Sequence, residues 1–147
     1  MTANNILNRS IWDFIHDVET KHIHEILLIK VRVENRKLKL PFRCDSPNLC
    51  RYIDMAISLL DDGIVQYCCQ ITKTEERYAV MLFSGEVKDK ESMLRVCSWC
   101  KKIDTGNETW SDAEVAIKAL NLFSSDYMPE ITHTMCNECY TNINDQI

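Results

Sequence analysis

Two cysteine pairs, Cys97-Ser98-Trp99-Cys100 and Cys136-Asn137-Glu138-Cys139, constrain this chain more than any other feature. Two residues between paired cysteines let one tight turn present both sulfurs to a common ion at about 2.3 Å. Two such turns complete a tetrahedral four-thiolate shell, the closed geometry of structural zinc. The stretch from Cys100 to Cys136 exceeds ordinary zinc-finger spacing, so a small subdomain has to fold between the pairs. The competing reading, buried reduced cysteines acting as small hydrophobes, leaves the paired spacing without a cause. Cys97, Cys100, Cys136 and Cys139 are therefore the expected ligands, and Zn2+ the expected cofactor.

A chain of 147 residues suits one ordinary domain, or a small domain with a metal-bound appendage. At 46% hydrophobic and 27% charged it has the makings of a packed core, so disorder is not expected. The formal charge of −5 repels phosphate backbones, and Arg95, Lys101 and Lys102 are the only local basic cluster. Nucleic-acid binding is accordingly the weakest reading. Apolar runs fall far short of the ~20 residues that cross a bilayer, and the polar opening from Met1 to Asn8 does not resemble a signal peptide. Eight cysteines raise the question of a secreted disulfide scaffold. The adjacent Cys68 and Cys69 are awkward partners for one, and a reducing cytoplasm with metal-committed thiolates fits better.

Catalytic patterns are absent. Three glycines provide no phosphate loop, and neither a Gly-x-Ser-x-Gly elbow nor a His-Glu-x-x-His helix occurs. Asp61-Asp62 reads as a turn pair, and a shell closed by four thiolates leaves no open position for water. The expectation is a protein that is not an enzyme.

Read in order, Ser10 and Asp13 have capping-box spacing and open a short helix. A second helix is predicted over 20–33, with Ile23, Ile26, Leu27 and Val31 on one stripe. His16, His22 and His24 are expected at the surface or half-buried. The period then changes to two: Leu38, Leu40, Phe42 and Cys44 point inward from a strand that Pro41 confines to a sheet edge. A second strand carries Ile53, Met55, Ile57 and Leu59 inward, and Asp61-Asp62-Gly63 makes a hairpin into a third. That third strand would face Val65, Tyr67, Cys69 and Ile71 inward. The nearly continuous apolar run at 78–83 reads as a fourth strand covered on both sides. Residues 88–92 read as a charged connector, and 101–106 as a turn. A further helix is predicted from Ser111 to about Phe123, with Val115, Ala119, Leu122 and Phe123 buried, and Trp110 stapling its start onto the metal turn. Pro129 should end any continuation, with Tyr127, Met128 and Ile131 beneath the site, and the polar tail after Tyr140 should fray. The fold class is thus α+β: an antiparallel sheet with N-terminal helices over 1–87, then a small zinc-bound subdomain over 88–147.

The stretch from Leu94 to Tyr140 resembles a cysteine-rich module of bacterial signalling proteins, often attached to PAS-type sensor domains or response regulators. The matching features are Cys97-Ser98-Trp99-Cys100-Lys101-Lys102-Ile103, Trp110 ahead of a helix, and His133 three residues before Cys136-x-x-Cys139. Such modules usually read His-Gly-Ile-Cys at the second pair, whereas this chain has His133-Thr134-Met135-Cys136. The region from Ser10 to Arg77 is similar to the later half of a PAS domain, most clearly in Arg9-Ser10-Ile11-Trp12-Asp13-Phe14-Ile15 and Phe42-Arg43-Cys44-Asp45-Ser46-Pro47. A complete PAS fold has two more strands ahead of this point. The resemblance implies a signalling module that works through a protein partner or as a homodimer, pairing at an exposed sheet edge. PAS domains commonly hold a small ligand between sheet and helix; the sequence names none here.

Two chemical alternatives stay open on the residues alone. His133 could replace a thiolate in a Cys3His shell, although four cysteines already satisfy the ion and a histidine commonly steadies ligands from outside. The centre could serve as a thiol redox sensor that releases its metal on oxidation. Cys44 and Cys50, five residues apart and interrupted by Pro47, read as structural, as do Cys68 and Cys69.

Overall fold

The computed structural model describes residues 5–78, 80–83, 88–122 and 128–147. Ser10 caps a short 3-10 helix, Ile11–Asp13, its hydroxyl accepting from the Trp12 N–H at 3.3 Å. Helix α1, Val18–Val33, starts two residues before the predicted boundary because Asp17 accepts the Thr20 N–H at 2.7 Å and so caps it. Its buried stripe is Ile23, Leu27 and Val31, joined by Thr20 and His24. The stripe lies on the apolar face of a three-stranded antiparallel sheet, ordered β1 (Leu38–Arg43), β2 (Leu49–Leu59), β3 (Val65–Glu76).

Register explains the inward set. Leu38 pairs with Ile57, Leu40 with Met55 and Phe42 with Ile53, so these six side chains share one face of the sheet. Gly63, at φ +80°, turns β2 into β3 as the Asp-Asp-Gly sequence predicts. Pro41 indeed lies on an edge strand.

Several expectations need correcting. Only Val65 and Tyr67 of the third strand pack inward; Cys69 and Ile71 are exposed, because α1 does not reach that end of β3. Cys44 lies just past the end of β1 and is exposed, leaving the Cys50 thiol as the buried member of that pair. His24 is buried, because its place on α1 faces Tyr67 and Trp99. The run 78–83 is not a strand. Val80 donates its N–H to Pro47 O at 2.8 Å, a 3-10 turn follows over Met81–Phe83, and Val80 and Leu82 bury themselves without a ladder. Position 79 lies outside the described residues.

The C-terminal part forms a second sheet, ordered β6 (Trp110–Ser111), β5 (Ile103–Asp104), β4 (Lys88–Cys97), β7 (Met128–Thr134). The expected connector at 88–92 is the start of β4, drawn into the ladder by parallel pairing with β7. Pro129 stands inside β7, and the expected turn at 101–106 is β5 followed by Gly106 at φ +115°. Helix α2, Ala113–Ala119, is shorter than predicted and rotated by one residue. Ala113, Ala116 and Ile117 face the core while Val115 is 57% exposed. Of the side chains expected beneath the site, Ile131 packs against the α2 core, Met128 begins β7 and Tyr127 falls outside the described residues; Trp110, the expected staple, lies in β6, and Phe123 of the predicted helix also falls outside them. The tail is helical, not frayed: α3 spans Asn137–Asn144 and buries Ile143.

Strand β4 is the wall between two cores. Side chains alternate along a strand, and Val96 joins α2, Val80, Leu82 and Ile103 on one side. Its neighbour Cys97 joins Ile23, Leu27, Leu40, Met55 and Trp99 on the other, with Met135, Cys136 and Ile143. The chain is therefore α+β, with one continuous apolar cluster reaching from α1 and the first sheet into the cysteine turns.

Candidate metal centre

Parallel pairing decides where the cysteines go. Strands β4 and β7 run in the same direction with Cys97 opposite Thr134, so both cysteine pairs leave the same end of the second sheet. The first pair then closes a tight turn in which Lys101 N–H donates to Cys97 O at 3.0 Å and Cys97 N–H to Lys102 O at 2.8 Å. The second begins α3, with Cys136 as its N-cap.

The sulfurs of Cys97, Cys100, Cys136 and Cys139 all lie within 4.8 Å of one another, and those of Cys100 and Cys136 are 3.8 Å apart. A tetrahedral ion with thiolate bonds of about 2.3 Å has edges of about 3.8 Å, so the donors stand where such an ion needs them. Cys97 and Cys136 are buried, Cys100 and Cys139 half-buried. Backbone amides support the shell: Cys136 N–H donates to Cys97 Sγ, and Cys139 N–H to Cys136 Sγ, each at 3.4 Å. All four predicted ligands converge, and they can hold a metal ion.

The electrostatics point the same way. Hydrogen bonds from Cys100 and Cys139 and from the Cys136 amide hold the Cys97 thiol far below the usual range. Cys100 accepts from Cys139, which favours its thiolate, but its own bond to Cys97 and its burial outweigh that and push it up. Cys139, donating to Cys100 and Cys97 and also desolvated, is pushed up as well. One negative charge forms readily among these sulfurs; further charges await a cation to neutralise them.

His133, the competing ligand, sits on β7 and is not a member of the sulfur cluster. The three basic residues near the pairs do not make a common patch. Arg95 pairs with Asp104, Lys102 Nζ with Glu138 at 3.2 Å, and Lys101 turns inward to the Ser98 carbonyl at 2.6 Å. No described helix is long and apolar enough to cross a membrane.

Residues that the sequence reading passed over fasten this centre to the first sheet. The Trp99 indole N–H donates to Pro41 O at 2.6 Å, and Arg43 N–H to Trp99 O at 2.8 Å, so the first cysteine turn occupies the outer edge of β1. The Ser98 hydroxyl donates to Asp17 at 2.8 Å, tying the same turn to the cap of α1. Farther out, the buried Asp45 carboxylate is held by Arg43 at 2.5 Å and Arg77 at 3.3 Å; these arginines also reach Asp112 and Glu114 at the start of α2. A groove of about 410 Å³ runs beside the centre, lined by Pro41, Tyr52, Trp99, Cys100, Glu138 and Cys139 among others.

The chain matches no protein-family model, no curated protein and no solved structure.

Proposed function

We propose that this chain is a non-catalytic regulatory module, of the bacterial signalling kind its cysteine pattern resembles, with one structural zinc ion. The convergence of Cys97, Cys100, Cys136 and Cys139 in tetrahedral spacing carries the proposal. Zinc is preferred because a closed four-thiolate shell at these distances is its ordinary structural site. The metal would fix β4, β7 and α3 against the PAS-like sheet, inside a reducing cytoplasm. Contact with a protein partner, or with a second copy, is assigned to β3. The outer edge of β1 is taken by Trp99, whereas β3 is an edge strand of twelve residues with Ile71 and Cys69 exposed.

Metal analysis and native mass on the purified full chain test this together. About one zinc per chain is expected, in a dimer or bound to a co-purified protein. Absence of stoichiometric zinc would sink the metal part; a lone monomer would sink the self-association part.

A second reading, a thiol redox sensor, is favoured by one observation: half-buried Cys100 and Cys139 both line the open groove, where an oxidant can reach them. Under it, mild peroxide oxidises paired thiolates to disulfides and expels the ion, while a purely structural centre keeps its metal under the same treatment.

A further inference from the structure

A cavity of about 310 Å³ that shares no lining residue with the groove is bounded by Phe14, Ile15, Asp17, Thr20, Ser98 and Lys101 among others. Thr20 is 8% exposed, and its hydroxyl oxygen is buried without a hydrogen-bond partner. A buried hydroxyl in that state bears an uncompensated desolvation cost, which a ligand acceptor would recover. Lys101 has φ +63°, a left-handed conformation that a lysine adopts only at a cost and that glycine adopts freely. Strain of this kind persists where the surrounding structure holds it in place, and it clusters at functional positions. Here it directs the ammonium inward, where one N–H meets the Ser98 carbonyl at 2.6 Å and two remain to donate.

We propose that this cavity binds a small monocarboxylate, its oxygens taking donors from Lys101 and Thr20 and its carbon chain lying against Phe14 and Ile15. The unused capacity is donor-rich, which selects an anion. Both oxygens of the neighbouring Asp17 are already engaged, by the Thr20 amide at 2.7 Å and the Ser98 hydroxyl at 2.8 Å. The cavity wall carries the acidic Asp17 and a single lysine, so a singly charged anion is favoured over a phosphate dianion. The imidazoles of His16 and His133 border the same cavity and add no negative charge. The site is independent of the signalling reading, because its donors come from the start of α1 and the cysteine turn whatever the chain's role.

Ligand-observed NMR and thermal melting on the metal-loaded full chain, with acetate, butyrate or inorganic phosphate at fixed ionic strength, test it. Butyrate should bind saturably and raise the melting temperature, acetate more weakly, and phosphate not at all. Lys101→Gly relieves the left-handed strain and should fold with its metal intact, yet bind butyrate at least about tenfold more weakly. Thr20→Val should weaken binding by a smaller factor. Equal responses to phosphate and butyrate, undiminished binding by Lys101→Gly, or no saturable binding would each overturn the proposal. Loss of metal affinity in Lys101→Gln without any carboxylate effect would overturn it too, assigning Lys101 to balancing thiolate charge.

Discussion

The indole N–H of Trp99 donates to the carbonyl of Pro41 across 2.6 Å, joining the middle of the first cysteine turn to the outer edge of β1. Pro41 has no N–H to offer a neighbouring strand, so this edge cannot continue as an ordinary ladder. The indole takes up the carbonyl that remains. Trp99→Phe keeps the ring against Phe42 and His24 but removes the hydrogen bond to the carbonyl of the exposed Pro41, and should cost about 0.5–1.5 kcal/mol. Trp99→Ala adds a cavity and should cost about 3–5 kcal/mol. Urea unfolding measures both, and equal midpoints for Trp99→Phe and the unsubstituted chain would show that the hydrogen bond contributes nothing.

Removing the metal should disturb more than the C-terminal part. Cys97, Trp99, Met135, Cys136 and Ile143 share one apolar cluster with α1 and the first sheet. Chelation withdraws a contribution on the order of 10 kcal/mol from that shared core. Hydrogen exchange at Leu27, Leu40 and Ile57 should therefore accelerate together with exchange in β4 and α3. Cys97→Ser and Cys136→Ser should copy the effect and lose bound metal, whereas Cys44→Ser and Cys68→Ser, both at exposed positions, should leave metal content unchanged. Protection in the sheet that survives chelation would contradict this coupling.

Burial lowers the pKa of His24 below its ordinary 6.5, with Asp17 pulling weakly the other way. Above 6.5 the imidazole is neutral folded and unfolded, so it adds no pH dependence. Below 6.5 the unfolded chain takes up the proton first, and stability falls until the folded pKa is passed. His24→Gln should flatten that segment of the stability curve. Protonation of the metal ligands also destabilises in acid, so the diagnostic quantity is the difference between the two proteins. Parallel curves for both would remove His24 as the cause.

Asp45 lies between Arg43 and Arg77 with its carboxylate 1% exposed and the Arg77 side chain 6% exposed. Asp45→Asn removes the one buried anion the two guanidinium groups share, leaving them only the more exposed Asp112 and Glu114, and should cost about 3–5 kcal/mol. Glu75→Gln, which breaks the exposed and solvent-screened pair with Lys73, should cost far less. Chemical denaturation of the two variants compares them directly; similar losses would mean that burial at Asp45 does not matter.

The four ligands were legible because Cys-x-x-Cys is a local pattern, and local spacing survives whatever the rest of the chain does. The first two strands were legible because Leu38, Leu40 and Phe42, and then Ile53, Met55, Ile57 and Leu59, each alternate with a period of two. The run at 78–83 misled because an apolar stretch of that length buries equally well as an irregular turn, and Arg77 with Val80 anchors it to the Ser46-Pro47 carbonyls. Strand β7 misled because its partner β4 is distant in sequence, and no local signal announces a parallel ladder. Burial of His24 depended on Tyr67 and Trp99 arriving from two other elements. One clue was readable: a lysine directly after Cys100 occupies the left-handed position of a tight cysteine turn, where glycine would be the easy choice.

The shared direction of β4 and β7 has a consequence for how such a chain can change. Whatever connects the two strands must only cross over and return with the same heading; its own length never enters the distances among the sulfurs. Insertions or deletions between Ile103 and Met128 can therefore remodel an entire flank of the molecule while the ion sees the same four neighbours.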